Sequence, residues 1–195
     1  MNENFLRILN KYDGILTTAQ AESEGISKMT LKKLVDNRDI ERVRRGVYID
    51  KSRFTDEFYL FQLTYPNTVF SNNTALYFYN MTERTPIKMD ITIYTGYNPH
   101  RFKDLVYVHR IKKELLYLGA TDIKSPQGKI VKAYNLERTV CDVIKSKKYI
   151  DLETANKAIK QCIRSKDFDG NKMFEYAKKL KIYDKVKQYV EAIIW

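Results

Sequence analysis

The first fifty residues carry a succession of local signals that leaves few folds open. Thr17-Thr18-Ala19-Gln20 fits the S/T-x-x-E/Q capping box, in which the first and fourth side chains satisfy each other's backbone amides, and it opens a short helix that Gly25 closes. Ser27 is a natural N-cap for the next helix, which runs to about Asn37 with Leu31, Leu34 and Val35 as its buried stripe. Before them, Phe5, Leu6, Leu9 and Tyr12 recur at helical spacing until Asp13-Gly14 breaks the period. Two short helices about a three-residue turn make a helix-turn-helix. Ile40 to Val43 and Val47 to Ile49 then read as strands, and Gly46 in the Arg44-Arg45-Gly46 loop supplies the positive φ of a tight hairpin. That hairpin is a wing, and residues 1–50 are expected to form a winged helix-turn-helix.

Beyond it, Asp56 to Leu63 and Asn73 to Met81 are helix-like, so residues 51–85 read as a helical connector packed on a second domain. Ile87 to Tyr94, Leu105 to His109, Leu115 to Leu118 and Ile130 to Tyr134 read as strands, with a turn at Gly96-Tyr97-Asn98-Pro99. Asn135 caps a helix through Ile144, and further helices are expected near 151–164, 169–180 and 183–194. The expected fold class is α+β: the winged module, then a larger α/β domain over 86–195 with a small mixed sheet and C-terminal helices.

The net charge of +11 favours a polyanionic partner and salt-sensitive binding. Residues 1–50 are nearly balanced, nine basic against eight acidic, and residues 86–195 hold nearly all of the excess. The N-terminal module must therefore bind DNA through local placement of charge. The opening Met-Asn-Glu-Asn-Phe-Leu lacks the basic and apolar regions of a signal peptide, and no stretch has the apolar length of a membrane span. A cytoplasmic protein without a membrane partner is expected. Cys141 and Cys162 are the only cysteines and have aliphatic neighbours, which points to reduced core thiols rather than a disulfide or metal cluster.

The second helix of such a motif enters the major groove N-terminus first. With Leu31 facing the core, Met29 and Lys33 point outward and Thr30 and Lys32 lie on the shoulders, at about 100° per residue. Met29, Thr30, Lys32 and Lys33 are thus the expected base readers, with Ser27 and Lys28 near phosphate. Arg42, Arg44 and Arg45 on the hairpin can reach phosphate or an adjacent minor groove. A second basic surface is expected at Lys157, Lys160 and Arg164, opposite the apolar stripe Leu152, Ala155, Ile159 and Cys162.

No phosphate-binding loop, G-x-G-x-x-G, H-E-x-x-H or C-x-x-C occurs, so no catalysis, cofactor or metal is expected. His100 in a turn and His109 at a strand end read as structural. Asp90 in a strand keeps a nuclease fused to the winged module as an alternative, although Lys112-Lys113-Glu114 lacks an E-x-K order. Arg138 and Asp142, four apart, read as a helical salt bridge worth a few tenths of a kcal/mol.

Gly14-Ile15-Leu16-Thr17-Thr18-Ala19-Gln20-Ala21, Gly25-Ile26-Ser27 and Arg44-Arg45-Gly46-Val47-Tyr48 closely resemble the AbiEi family of antitoxins. Ser71-Asn72-Asn73-Thr74-Ala75-Leu76-Tyr77 and Glu137-Arg138-Thr139-Val140-Cys141-Asp142 resemble that family's second-domain segments. Asn37 departs from the pattern, since related sequences more often place glycine there and Asn also tolerates the left-handed conformation after a helix. The resemblance implies a transcriptional autorepressor that binds inverted repeats in double-stranded DNA upstream of its own operon. It also implies an antitoxin of a type IV, abortive-infection system, acting against a nucleotidyltransferase-like toxin without a stable complex. The protein would be a monomer in solution that cooperates on DNA. A stand-alone regulator with a protein-binding second domain is a further alternative.

Overall fold

A computed structural model describes residues 3–52, 56–82, 85–146 and 152–194. The chain divides into two compact units, Met1–Thr64 and Tyr65–Trp195. In the first, α1 (Glu3–Lys11) is followed by β1 (Ile15–Thr17), α2 (Thr18–Ser23), α3 (Lys28–Asp36) and the hairpin β2 (Glu41–Arg44) and β3 (Val47–Ile49), with α4 (Glu57–Thr64) after it. The capping box forms as its spacing predicts: Gln20 N donates to Thr17 Oγ1 at 3.1 Å and Thr17 N to Gln20 Oε1 at 2.8 Å. Gly25, at φ +78°, ends α2 and lets Ile26 N return to Ala21 O at 2.8 Å.

Leu31 is fully buried among Phe5, Ile8, Leu9, Leu16, Ala21, Ile26, Ile40 and Tyr48, so α1, β1, α2, α3 and β3 each contribute to one small core. β3 lies between β1 and β2, antiparallel to both. β1 escaped sequence reading because three residues are too few to show a period. The left-handed residue after α3 is Arg38, at φ 61°, and Asn37 keeps helical geometry, which corrects the reason given for tolerating Asn37.

The second unit is built on a five-stranded mixed sheet in the order β6-β5-β4-β8-β7, with strands β4 (Val69–Phe70), β5 (Met89–Tyr94), β6 (Val106–Ile111), β7 (Ala120–Lys124) and β8 (Ile130–Tyr134). β5 and β6 run parallel, as do β4 and β8, while the β4–β5 and β7–β8 pairs are antiparallel. Helix α5 (Asn72–Phe78) packs on β5, and α6 (Leu136–Lys145) packs against α5, α7 (Leu152–Arg164), α8 (Gly170–Lys179) and α9 (Tyr183–Ile194). Being surrounded, α6 buries every residue from Leu136 to Ile144. Cys141 and Cys162 are free thiols in the same core. Among the described residues, no helix is long and apolar enough to cross a membrane.

Several expected elements are corrected. Residues 51–85 are not only a helical connector, because Val69–Phe70 is the middle strand of the second sheet and the two units divide at Thr64. A two-residue strand has no alternation to read. Leu115 to Leu118 is not a strand but a 3₁₀ turn at Lys113–Leu115 followed by further turn; Leu116 is buried because the turn packs inward, not because the segment is pleated. β7 was missed since, as an edge strand, it buries little and alternates weakly. On α7, Leu152 is 58% exposed and the buried stripe is instead Ala155, Ala158, Ile159 and Cys162.

Candidate nucleic-acid interface

Burying Leu31 fixes the rotation of α3, and with it every polar residue on the helix. Met29 (69% exposed), Thr30, Lys32 and Lys33 all reach solvent, as do Ser27 and Lys28 at its start. Ser27 Oγ accepts from Thr30 N at 3.1 Å and lies 3.0 Å from Thr30 Oγ1. A phosphate approaching Ser27 would therefore share a hydroxyl already engaged as the helix cap.

The hairpin is positioned by two local features. The register slips between Arg42, opposite Tyr48, and Arg44, opposite Val47, so Val43 is an extra residue that bends β2. At the tip, Gly46 has φ +79° and its carbonyl accepts from Thr18 N at 2.9 Å, tying the hairpin to the start of α2. A Cβ at Gly46 would stand 3.3 Å from Thr18 Oγ1, so the glycine serves both the turn and this close approach. Arg42 and Arg45 are exposed and Arg44 is half-buried.

Between α3 and the hairpin lies a groove of about 780 Å³ lined by Lys28, Lys32, Arg42 and Arg45, with Asp36 as its one acid and Thr18, Val35, Gly46 and Tyr48 completing it. The geometry thus sorts the expected residues. Lys28, Lys32, Arg42 and Arg45 share the groove, while Met29 and Lys33 occupy the outward face of α3 and Thr30 its far shoulder. Lys28 Nζ also lies 3.3 Å from Glu22 Oε1 on the surface, a contact that solvent weakens and that an anion can replace. Glu24 accepts from Lys11 Nζ and Tyr12 Oη, which holds its carboxyl below the ordinary value and links α1 to the end of α2.

Elsewhere, Lys157, Lys160 and Arg164 are exposed on α7. His109 is partly buried, and its Nε2 lies 2.7 Å from Oδ1 of buried Asp90, a pair that sequence spacing did not foreshadow. Burial pushes the Asp90 carboxyl above its ordinary value, and His109 opposes that shift.

Residues 4–49 match the family of transcriptional regulators described as AbiEi antitoxins. The match covers the helices and hairpin that build the groove, and it ends before the segments around Ser71–Tyr77 and Glu137–Asp142. No curated protein matches the chain. Among solved structures, the RV2827C protein from Mycobacterium tuberculosis is similar over 92% of this chain and 75% of its own length, with a TM-score of 0.53 and 11% sequence identity. At that identity the likeness concerns the fold alone.

Proposed function

We propose that this chain is a cytoplasmic transcriptional autorepressor whose first unit is a winged helix-turn-helix reading inverted repeats in its own promoter. The observation that carries the reading is the groove between α3 and the hairpin, where four cations face one carboxylate inside the segment matched by a regulator family. An α-helix fits the major groove of B-DNA; Met29, Thr30, Lys32 and Lys33 then meet base edges while Arg42, Arg44 and Arg45 hold phosphate. The chain acts by binding rather than catalysis, as a monomer that cooperates on its repeats.

The second part of the reading is antitoxicity. The description of the family matched by residues 4–49 names an antitoxin, and on our reading the chain belongs to a type IV system and counteracts a nucleotidyltransferase-like toxin without a stable complex. The second unit carries that activity, with Lys157, Lys160 and Arg164 as its exposed basic surface. Two assays test the halves separately. A reporter driven by the DNA upstream of the chain's own reading frame is expected to be repressed by the full chain, and unaltered expression contradicts autorepression. Co-expression with the product of the adjacent reading frame is expected to relieve growth arrest, and continued arrest contradicts antitoxicity.

A further inference from the structure

The excess positive charge of the second unit gathers at a place that no single segment of sequence reveals. Arg110 on β6, Lys112 just after it, Lys145 ending α6, Lys179 ending α8 and Lys181 beyond α8 line one concavity of about 430 Å³, with Glu114 as its one acid. All five cations are exposed, and none makes an ion pair with a described carboxylate. Lysines that end helices are favoured by the helix dipole, and this accounts for Lys145 and Lys179. It does not account for Arg110 on an edge strand, or for Lys112. Lys181 is held at φ 57°, a conformation that favours glycine, by a backbone bond to Lys178 O at 3.0 Å.

A second chamber, of about 270 Å³, adjoins the first and shares Arg110, Ile111 and Lys145 with it. Its polar lining includes Asn72, Thr92, His109 and Ser146, with the His109 ring held by buried Asp90, and the Arg138–Asp142 ion pair, whose charges offset each other. Ile111, Leu115 and Leu180 give the larger cavity apolar wall. Bringing like charges together raises the energy of the empty site and increases its attraction for anions.

We propose that this double cavity binds a small molecule bearing several phosphates. With Arg138 and Asp142 paired in the smaller chamber, the five cations against one acid in the larger one suit an anion of about four charges, which a polyphosphate carries and a simple carboxylate does not. Cations converging on a concavity also differ from the open face that tracks a DNA backbone, whereas pockets of this size take small ligands. The site lies within the second unit and is independent of DNA reading by the first.

The test is calorimetric titration of the full chain with inorganic triphosphate in magnesium-free, low-salt buffer. One saturable site is expected, and Lys145→Ala with Lys179→Ala is expected to weaken it at least about tenfold, because two charge-assisted contacts are lost. The exposed pair Lys103→Ala with Lys124→Ala, outside the lining of both chambers, is the control and is expected to leave affinity unchanged. Should the first double variant melt early, Lys112→Ala with Lys181→Ala reads the same site. Absent saturation, or equal losses in site and control variants, overturns the proposal. So does displacement of triphosphate by duplex DNA with affinity that falls in the site variant, since the cavity would then follow nucleic-acid phosphates.

Discussion

Arg138 Nε donates to both carboxylate oxygens of Asp142, each at 3.1 Å, one turn further along α6, and Arg138 is only 1% exposed. Its Nη1 donates to Leu118 O at 2.7 Å and Leu115 O at 3.3 Å, and the guanidinium carbon stands 4.1 Å over the Tyr134 ring. The cation thus fastens the 3₁₀ turn and the sheet to α6. The surface value assigned to this pair from its spacing does not apply to a buried network.

Arg138→Leu leaves a buried carboxylate and two unpaired carbonyls, and is expected to cost about 3–5 kcal/mol in urea unfolding. Lysine is expected to rescue poorly, because one ammonium cannot replace the planar fork. Burial already pushes the Asp142 carboxyl above its ordinary value, with Arg138 opposing that shift. Without Arg138 the folded-state pKa rises further above the unfolded one, so the variant's stability is fullest below pH about 4 and is lost as pH climbs. The deficit should therefore be larger at pH 8 than at pH 5. A deficit independent of pH contradicts this account.

Gly119 is the turn that makes room for the same arginine. At φ +77°, a Cβ there would stand 2.7 Å from Arg138 Cβ, whereas at Gly128, φ +85°, it would meet open space. Gly119→Ala is expected to cost roughly 2–4 kcal/mol, from left-handed strain and overpacking together, and Gly128→Ala about 1 kcal/mol from the strain alone. Equal losses in the two variants, measured by urea unfolding, contradict the close packing at Gly119.

The two thiols report on the core of the second unit. Burial pushes both Cys141 and Cys162 up to about 12, from an ordinary value of 9.0. A raised folded-state value for an acid means stability that is complete below pH about 9 and is lost between 9 and 12, as the unfolded thiols ionise first. Ellman's reagent at pH 8 is expected to label neither cysteine of the native chain on the timescale on which denaturant exposes both. Rapid native labelling would contradict their burial.

How much of this was legible in advance depended on the range of the cause. Caps, the Gly25 stop and the Gly46 turn rest on contacts within a few residues, so Thr17, Gln20 and Ser27 announce them directly. The exposed faces of α3 and α7 follow from helical period alone. The middle strand Val69–Phe70 exists only because β5 and β8 flank it, and nothing within two residues encodes that. The Asp90–His109 pair joins strands 19 positions apart, and the basic concavity draws on four separate segments. The pair was invisible until parallel pairing of β5 with β6 brought its members together, and the concavity until the ends of β6, α6 and α8 met.

The central claim is that α3 reads bases while the hairpin holds phosphate, and fluorescence anisotropy on the upstream repeat and a scrambled duplex, at two salt concentrations, tests it most directly. Lys33→Ala, on the outward face of α3, is expected to lower affinity for the repeat by about 1–3 kcal/mol while hardly changing that for the scrambled duplex. Arg45→Ala is expected to weaken both alike and to flatten the logarithmic salt slope by about one. If both variants bind both duplexes with parental affinity and salt dependence, neither the outward face of α3 nor the hairpin tip is the surface that meets DNA.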